Sequence, residues 1–258
     1  MPRFAANLTM LFTEVPMLDR PGLAEQAGFD GVEVLFPYDH SPEDWLAALA
    51  GQKVALINTP PGDWLAGERG FAAVPGQEAR FRDSFLRGAD LAARLGADRL
   101  HVMSGVARGP EAEQIFVENL GWAAAQAPGQ RLVIEPLNPD DMPGYFLNDF
   151  DLAGRILDDL GLPQVQLQFD LWHAARIEGQ PQVVWNRHKA RVGHIQIAGF
   201  PSRNEPGGGG FDLTALCTEV DDMGYDGWIA AEYRPARATV HGLGWLQALK
   251  ARSQPIGA

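Results

Sequence analysis

Three stretches of this chain repeat one phrase. "QAGFDGVEVLF", "RLGADRLHVM" and "DMGYDGWIAAEY" each close a helical run, place a glycine after it, add two or three polar or turn residues, and enter a β-rich run. Glycine just past a helix suits the left-handed C′ position. Looser versions stand at "LAGQKVALIN", "APGQRLVIE" and "DLGLPQVQLQF". The β-rich runs are residues 4–8, 32–36, 54–58, 99–103, 132–135, 165–170, 192–198 and 228–233. The intervening segments carry helical spacing: Phe81, Phe85, Ala89 and Ala92 fall on one face, as do Leu213, Leu216, Cys217 and Val220 behind an N-cap at Asp212. Residues 111–127 and 148–160 read the same way.

Alternation of strand and helix implies a parallel sheet, and eight units predict a closed (β/α)8 TIM barrel. The rival is a doubly wound open sheet, which usually places a Gly-rich phosphate loop after its first strand; "FAANLTMLF" has none. A length of 258 residues suits one barrel, and no Pro/Ser-rich linker or shift in composition divides it, so residues 1–258 read as one domain.

The formal charge of −12 repels phosphate backbones and anionic membranes, which points to a small-molecule partner rather than nucleic acid or a membrane. A single cysteine, Cys217, excludes an intrachain disulfide framework and a Cys-based zinc site. No signal-peptide layout or spanning segment is evident, so the expected location is cytoplasmic. The oligomeric state stays open, with a homo-oligomer allowed.

Strand alternation then sorts the polar residues. In "VQLQFD", Gln166, Gln168 and Asp170 oppose Val165, Leu167 and Phe169; in "VGHIQIA", His194 and Gln196 oppose Ile195 and Ile197. The outer face of a barrel packs on helices, so the polar faces are expected inside. Four consecutive strands end on oxygen donors: Glu135, Asp170, Gln196 and Glu232. Three carboxylates converging on one axis repel each other, and a divalent cation relieves that repulsion. Oxygen-only ligation favours Mg²⁺ or Mn²⁺. Taken singly, each is as well read as a surface residue at a strand end; four in succession weaken that reading.

His173, three residues after Asp170, is expected in the loop at the same mouth, either as an ordinary loop histidine or to orient a substrate hydroxyl. Arg203, in "GFPSRNEPGGGG", is expected in the loop after the seventh strand, where it is a bidentate partner for a carboxylate or a solvated arginine. Glu33, and the pair Glu68 and Arg69, read as supporting or loop-ordering groups. His101 lines the interior without an assigned role, and Trp64 walls a pocket.

Several of these stretches together carry a resemblance. "MPRFAANLTMLFTEVP", "GFDGVEVLFPY", "PPGDWLAGERG", "LVIEPLN", "HIQIAGFPSRNEPG" and "GWIAAEY" resemble the hydroxypyruvate isomerase family of xylose isomerase-like barrels, nearly end to end. "HVMSGV" and "IAGFPSR" look most similar to its 2-oxo-tetronate isomerase branch, "IEPLN" and "GERG" to its hydroxypyruvate branch. The resemblance implies a metal on Glu135, Asp170, Gln196 and Glu232, an acid/base pair in Glu135 and Glu232, and substrate contacts from His173 and Arg203, with Glu68 as a further candidate. It implies conversion of hydroxypyruvate to tartronate semialdehyde, with a 2-oxo-tetronate isomerase as the alternative. A ketose 3-epimerase and a non-catalytic sugar-acid binding protein are further readings; a DNA-repair nuclease would need more histidine ligands and a basic groove. One departure is local. Where the family continues the arginine loop with an acidic residue and a tyrosine, this chain reads "GGGGFDL".

Overall fold

The computed structural model describes residues 2–207 and 211–252. Eight parallel strands close into a barrel in chain order: β1 (Arg3–Asn7), β2 (Gly31–Val34), β3 (Lys53–Asn58), β4 (Arg99–His101), β5 (Arg131–Ile134), β6 (Val165–Asp170), β7 (Val192–Ile197) and β8 (Trp228–Ala231). Around them run α1 (Arg20–Gln26), α2 (Pro42–Leu49), α3 (Glu78–Leu95), α4 (Pro110–Gln126), α5 (Phe150–Leu160), α6 (Leu171–Glu178), α7 (Pro181–His188), α8 (Leu213–Asp222) and α9 (Gly244–Arg252). The open-sheet rival is excluded, because β1 pairs with β8 through Ala5 and Ala230.

The repeated phrase does what its glycines suggested. Gly96 ends α3 at φ +64°, where its N–H reaches back to Ala92 and Ala93. Asp212 caps α8 by accepting the N–H groups of Thr214 and Ala215 at 2.8 and 3.0 Å. The α3 stripe is broader than its four expected positions. Phe81, Phe85 and Ala92 are buried and Ala89 is partly so, but Gly88, Leu91 and Leu95 join them, which widens the apolar face toward β3 and β4.

Several strand ends shift by one to two residues from the sequence reading, and two differences bear on the site. β5 and β8 stop at Ile134 and Ala231, so Glu135 and Glu232 stand one residue beyond the ladder. Pro136 has no N–H to extend the pairing of β5. The second difference concerns His173. It is not in a loop but in the first turn of α6, because Asp170 Oδ1 accepts the Trp172 N–H at 2.8 Å and caps a helix directly on the strand end.

Inside and outside follow the alternation. Phe169 faces the helices, with its ring 5.7 Å from Phe150 and 5.3 Å from Trp185, while Gln168 and Asp170 are buried in the interior. At the N-terminal end Ala5, Ala55, Trp228 and Ala230 form a separate apolar plug. Gly31 is required there. A Cβ would stand 2.7 Å from both the Trp228 ring and the Lys53 carbonyl oxygen.

Candidate active site

At the opposite end the strand termini open into a cavity of about 640 Å³, with Glu135, His173, Arg203 and Glu232 in its wall. Trp64 also lines it, as expected, with the Arg69 guanidinium stacked 3.6 Å from its ring and Phe36 at 5.6 Å.

Below the cavity lies a polar layer built around Glu33. Its Oε1 accepts from Asn7 Nδ2 and from Gln196 Nε2, both at 2.8 Å, and its Oε2 lies 2.7 Å from His194 Nε2. Gln196 is thereby oriented: its Nε2 is held by Glu33, and its Oε1 accepts from Gln168 at 2.6 Å. The second lone pair of that oxygen remains for another partner. Pairing of Asp170 with Gln196 across β6 and β7 puts the two side by side.

Asp170 uses Oδ1 as the helix cap and turns Oδ2 toward Arg203, 3.3 Å away, and toward His173 Nε2, 3.5 Å away. Arg203 also donates to Glu232 Oε1 at 2.9 Å and lies 3.8 Å from Asp141 Oδ2. Its charge is thus shared among carboxylates. His101 Nδ1 stands 3.7 Å from Glu135 Oε2.

Burial dominates the protonation of this group. It lifts Glu135 well above the usual carboxylate range, and the negative charges of Glu232 and Asp170 add to the rise. Glu232 is lifted as well, chiefly by burial, with Arg203 opposing. Asp170 is pushed up to about 6 by burial against the pull of Arg203. His101 is pushed down to about 3 by burial and stays neutral. Arg203 loses charge stabilisation on burial, yet the surrounding carboxylates more than restore it and its pKa is raised.

Among the described residues, Glu135, Asp170 and His173 each offer a ligand atom within 4.8 Å of the others. The histidine is the weakest of the three as a ligand. The backbone N–H of Asn138 donates to His173 Nδ1 at 2.9 Å, so the ring proton of the neutral imidazole sits on Nε2, the nitrogen that faces Asp170. Burial also drives the His173 pKa far down, and Arg203 adds to that. His173 is therefore a fixed hydrogen-bond donor. The remaining set, three buried carboxylates crowded enough to hold protons plus an oriented amide oxygen, fits a hard divalent cation.

Of the expected site residues the structure brings together Glu135, Asp170, His173, Gln196, Arg203 and Glu232. Glu68 is turned elsewhere. It accepts Arg80 at 2.6 and 2.8 Å and the Asp63 N–H at 2.6 Å, and it serves the loop that carries Trp64. Of the stretch "GGGGFDL" at 207–213, where the chain departs from the family pattern, residues 208–210 lie outside the described residues.

Sequence reasoning missed Asn138, Asp141 and Arg234. Asp141 accepts from Asn138 Nδ2 at 2.9 Å and Trp172 Nε1 at 2.8 Å; burial would raise its pKa, but these donors and Arg203 lower it overall. The run "EPLNPDDMPG" contained the signal, an Asn and an Asp at turn positions directly after a strand-end carboxylate.

The model of the xylose isomerase-like TIM barrel family matches residues 21–249. A 2-oxo-tetronate isomerase from Cupriavidus necator is 46% identical over 96% of this chain and 98% of its own length. The hydroxypyruvate isomerase of Escherichia coli is 39% identical over 95% and 98%. Among solved structures, AP endonuclease, family 2, from Brucella melitensis superposes with a TM-score of 0.91 at 40% identity, covering 96% of this chain and 99% of that one. An L-ribulose 3-epimerase shares the fold at a TM-score of 0.74 and 18% identity, covering 100% and 88%.

Proposed function

We propose, from the premise that this chain belongs to the xylose isomerase-like TIM barrel family and is an isomerase of small hydroxy-oxo acids, that it interconverts a 2-oxo-3-hydroxy acid with its 2-hydroxy-3-oxo isomer. The observation that carries this reading is the convergence of Glu135 and Glu232, two buried glutamates, on the wall of one cavity.

The reaction moves one proton from C3 to C2 and one from the C3 oxygen to the C2 oxygen, so that carbonyl and alcohol change places. A positioned acid/base group contributes about 10²–10⁴-fold. One glutamate takes the proton from C3 and the other delivers a proton to C2. His173, with its proton held on Nε2 by Asn138, donates a hydrogen bond to a substrate oxygen. Arg203 keeps Glu232 and Asp170 in place and offsets their charge. Glu135, Asp170, Gln196 and Glu232 would hold Mg²⁺ or Mn²⁺, which supplies Lewis-acid stabilisation of oxygen charge.

Hydroxypyruvate, giving tartronate semialdehyde, is the smallest acid of this kind. A four-carbon 2-oxo-tetronate is the second reading, favoured by the 46% identity to a 2-oxo-tetronate isomerase. An endonuclease reading is disfavoured by the −12 charge and by a cavity in which His101 and His173 are the histidines lining the wall. The test is turnover by Mg²⁺- or Mn²⁺-supplemented protein of hydroxypyruvate, 2-oxo-tetronate and a free ketohexose, with solvent exchange into substrate carbon followed by NMR in D₂O. The acids are expected to react and exchange. Exchange confined to the ketohexose would point to an epimerase, and binding without exchange to a non-catalytic protein.

A further inference from the structure

Two arginines line the cavity, and they are in opposite conditions. The Arg203 guanidinium is mostly buried and engaged: one nitrogen donates to Glu232 Oε1 at 2.9 Å and to Asp170 Oδ2 at 3.3 Å, and another lies 3.8 Å from Asp141 Oδ2. A substrate carboxylate brought to Arg203 would have to compete for a guanidinium that already serves Glu232 and Asp170.

Arg234 differs on each point. Its guanidinium has no hydrogen bond or ion pair with any of the described residues, and the side chain is exposed to the cavity. Its backbone is nevertheless fixed. The Arg234 N–H donates to the Arg203 carbonyl at 2.7 Å, the Arg234 carbonyl accepts Asn204 Nδ2 at 2.7 Å, and Pro235 follows, which restrains the residue before it. It stands two residues after Glu232, with the buried Tyr233 between them, so the backbone places it beside the reacting end of the site. The same cavity wall also carries apolar groups, among them Met10, Leu35, Phe36 and Pro235.

We propose that Arg234 is the receptor for the substrate carboxylate and thereby selects acids over neutral sugars of the same size; this rests on the assignment of an acidic substrate made above. Arg203, which the sequence offered for that task, instead organises the carboxylates of the reacting end. A guanidinium with a fixed backbone and free donors grips a carboxylate through two parallel hydrogen bonds.

The experiment compares the wild type, Arg234→Gln and Arg234→Lys, all with Mg²⁺, by two readouts. The first is the steady-state kinetics of the acid substrate. The second is calorimetric binding of erythronate, a non-reacting four-carbon acid, and of erythritol, its neutral counterpart. Loss of a charge-assisted pair costs roughly 10- to 100-fold in affinity. Arg234→Gln is expected to show that loss in KM and in erythronate binding while erythritol binding is unaffected, and Arg234→Lys to recover part of it. Erythronate affinity within about twofold of wild type in Arg234→Gln would overturn the proposal, as would an equal loss for erythritol. A wild type that turns over no hydroxy-oxo acid, yet binds erythronate through Arg234, would remove the functional assignment and leave this one standing.

Discussion

The two ends of the barrel use the same strands for opposite purposes. At the N-terminal end, Ala5, Ala55, Trp228 and Ala230 fill the interior with apolar atoms, and Gly31 gives way to the indole. Charges there include the rim pair Arg131 and Asp226 at 2.8 Å and the buried Arg99, whose guanidinium lies 3.6 Å from Asp226 and makes no hydrogen bond among the described residues. At the C-terminal end the interior holds Glu135, Asp170 and Glu232, buried and close enough to raise one another's proton affinity, with Arg203 as their cationic neighbour. One end is filled mainly by apolar side chains. The other is arranged around charge that a ligand or cation would complete, which is where a barrel of this kind does chemistry.

Substitutions at the two ends should therefore separate stability from turnover. The largest effect belongs to the mouth. Glu135→Gln and Glu232→Gln are each expected to lower kcat by about 10²–10⁴-fold. The melting temperature of the metal-free protein should hold or rise for Glu135→Gln, where a neutral amide relieves a crowded carboxylate cluster, and should fall for Glu232→Gln, which removes the ion-pair partner of buried Arg203. Near-native turnover of either variant, with saturating Mg²⁺ or Mn²⁺, would remove that glutamate from the proton-transfer pair.

The converse experiment is Trp228→Ala. The side chain is buried at the plug, so the substitution should cost about 3–5 kcal/mol in denaturant unfolding. The kinetics of the fraction that remains folded should stay close to wild type. A loss of turnover in folded protein would mean that the two ends are coupled.

The smallest effect is the dependence of stability on pH. Asp170 has an ordinary pKa of 3.8 and a folded value of about 6, and Glu135 and Glu232 shift in the same direction. A raised folded pKa means that the native state binds protons more tightly than the unfolded chain. The stability contributed is full below the ordinary value and is lost as pH rises through about 6. A cation that requires deprotonated ligands should then stabilise the protein more at about pH 8 than at about pH 5, as read by thermal unfolding with and without Mn²⁺. Equal stabilisation at both pH values would indicate binding elsewhere.

Much of the site was legible before any coordinates. Period-two alternation placed Gln168, Asp170, His194 and Gln196 inward, and strand ends supplied Glu135 and Glu232. What escaped was the identity of each group's partner. His173 was read into a loop because the pattern does not reveal that Asp170 caps a helix immediately. Arg203 was offered to a substrate because its engagement with Glu232, 29 residues away, leaves no trace in local spacing. Glu68 shares its loop with Trp64 and Arg69, yet its partner Arg80 lies on α3.

By itself, then, the sequence determined the order of strands and helices, the closure implied by eight of them, and which face of each strand is polar. Those properties depend on backbone geometry over a few residues. Only the tertiary structure decided that Glu33 holds Gln196 and His194, 163 and 161 residues away, that Asn138 assigns the proton of His173, and that Arg234 is left with free donors. Hydrogen bonds and ion pairs are short-range and directional. Residues far apart in the chain can therefore be partnered only after the barrel has brought them within 3 Å or so of each other.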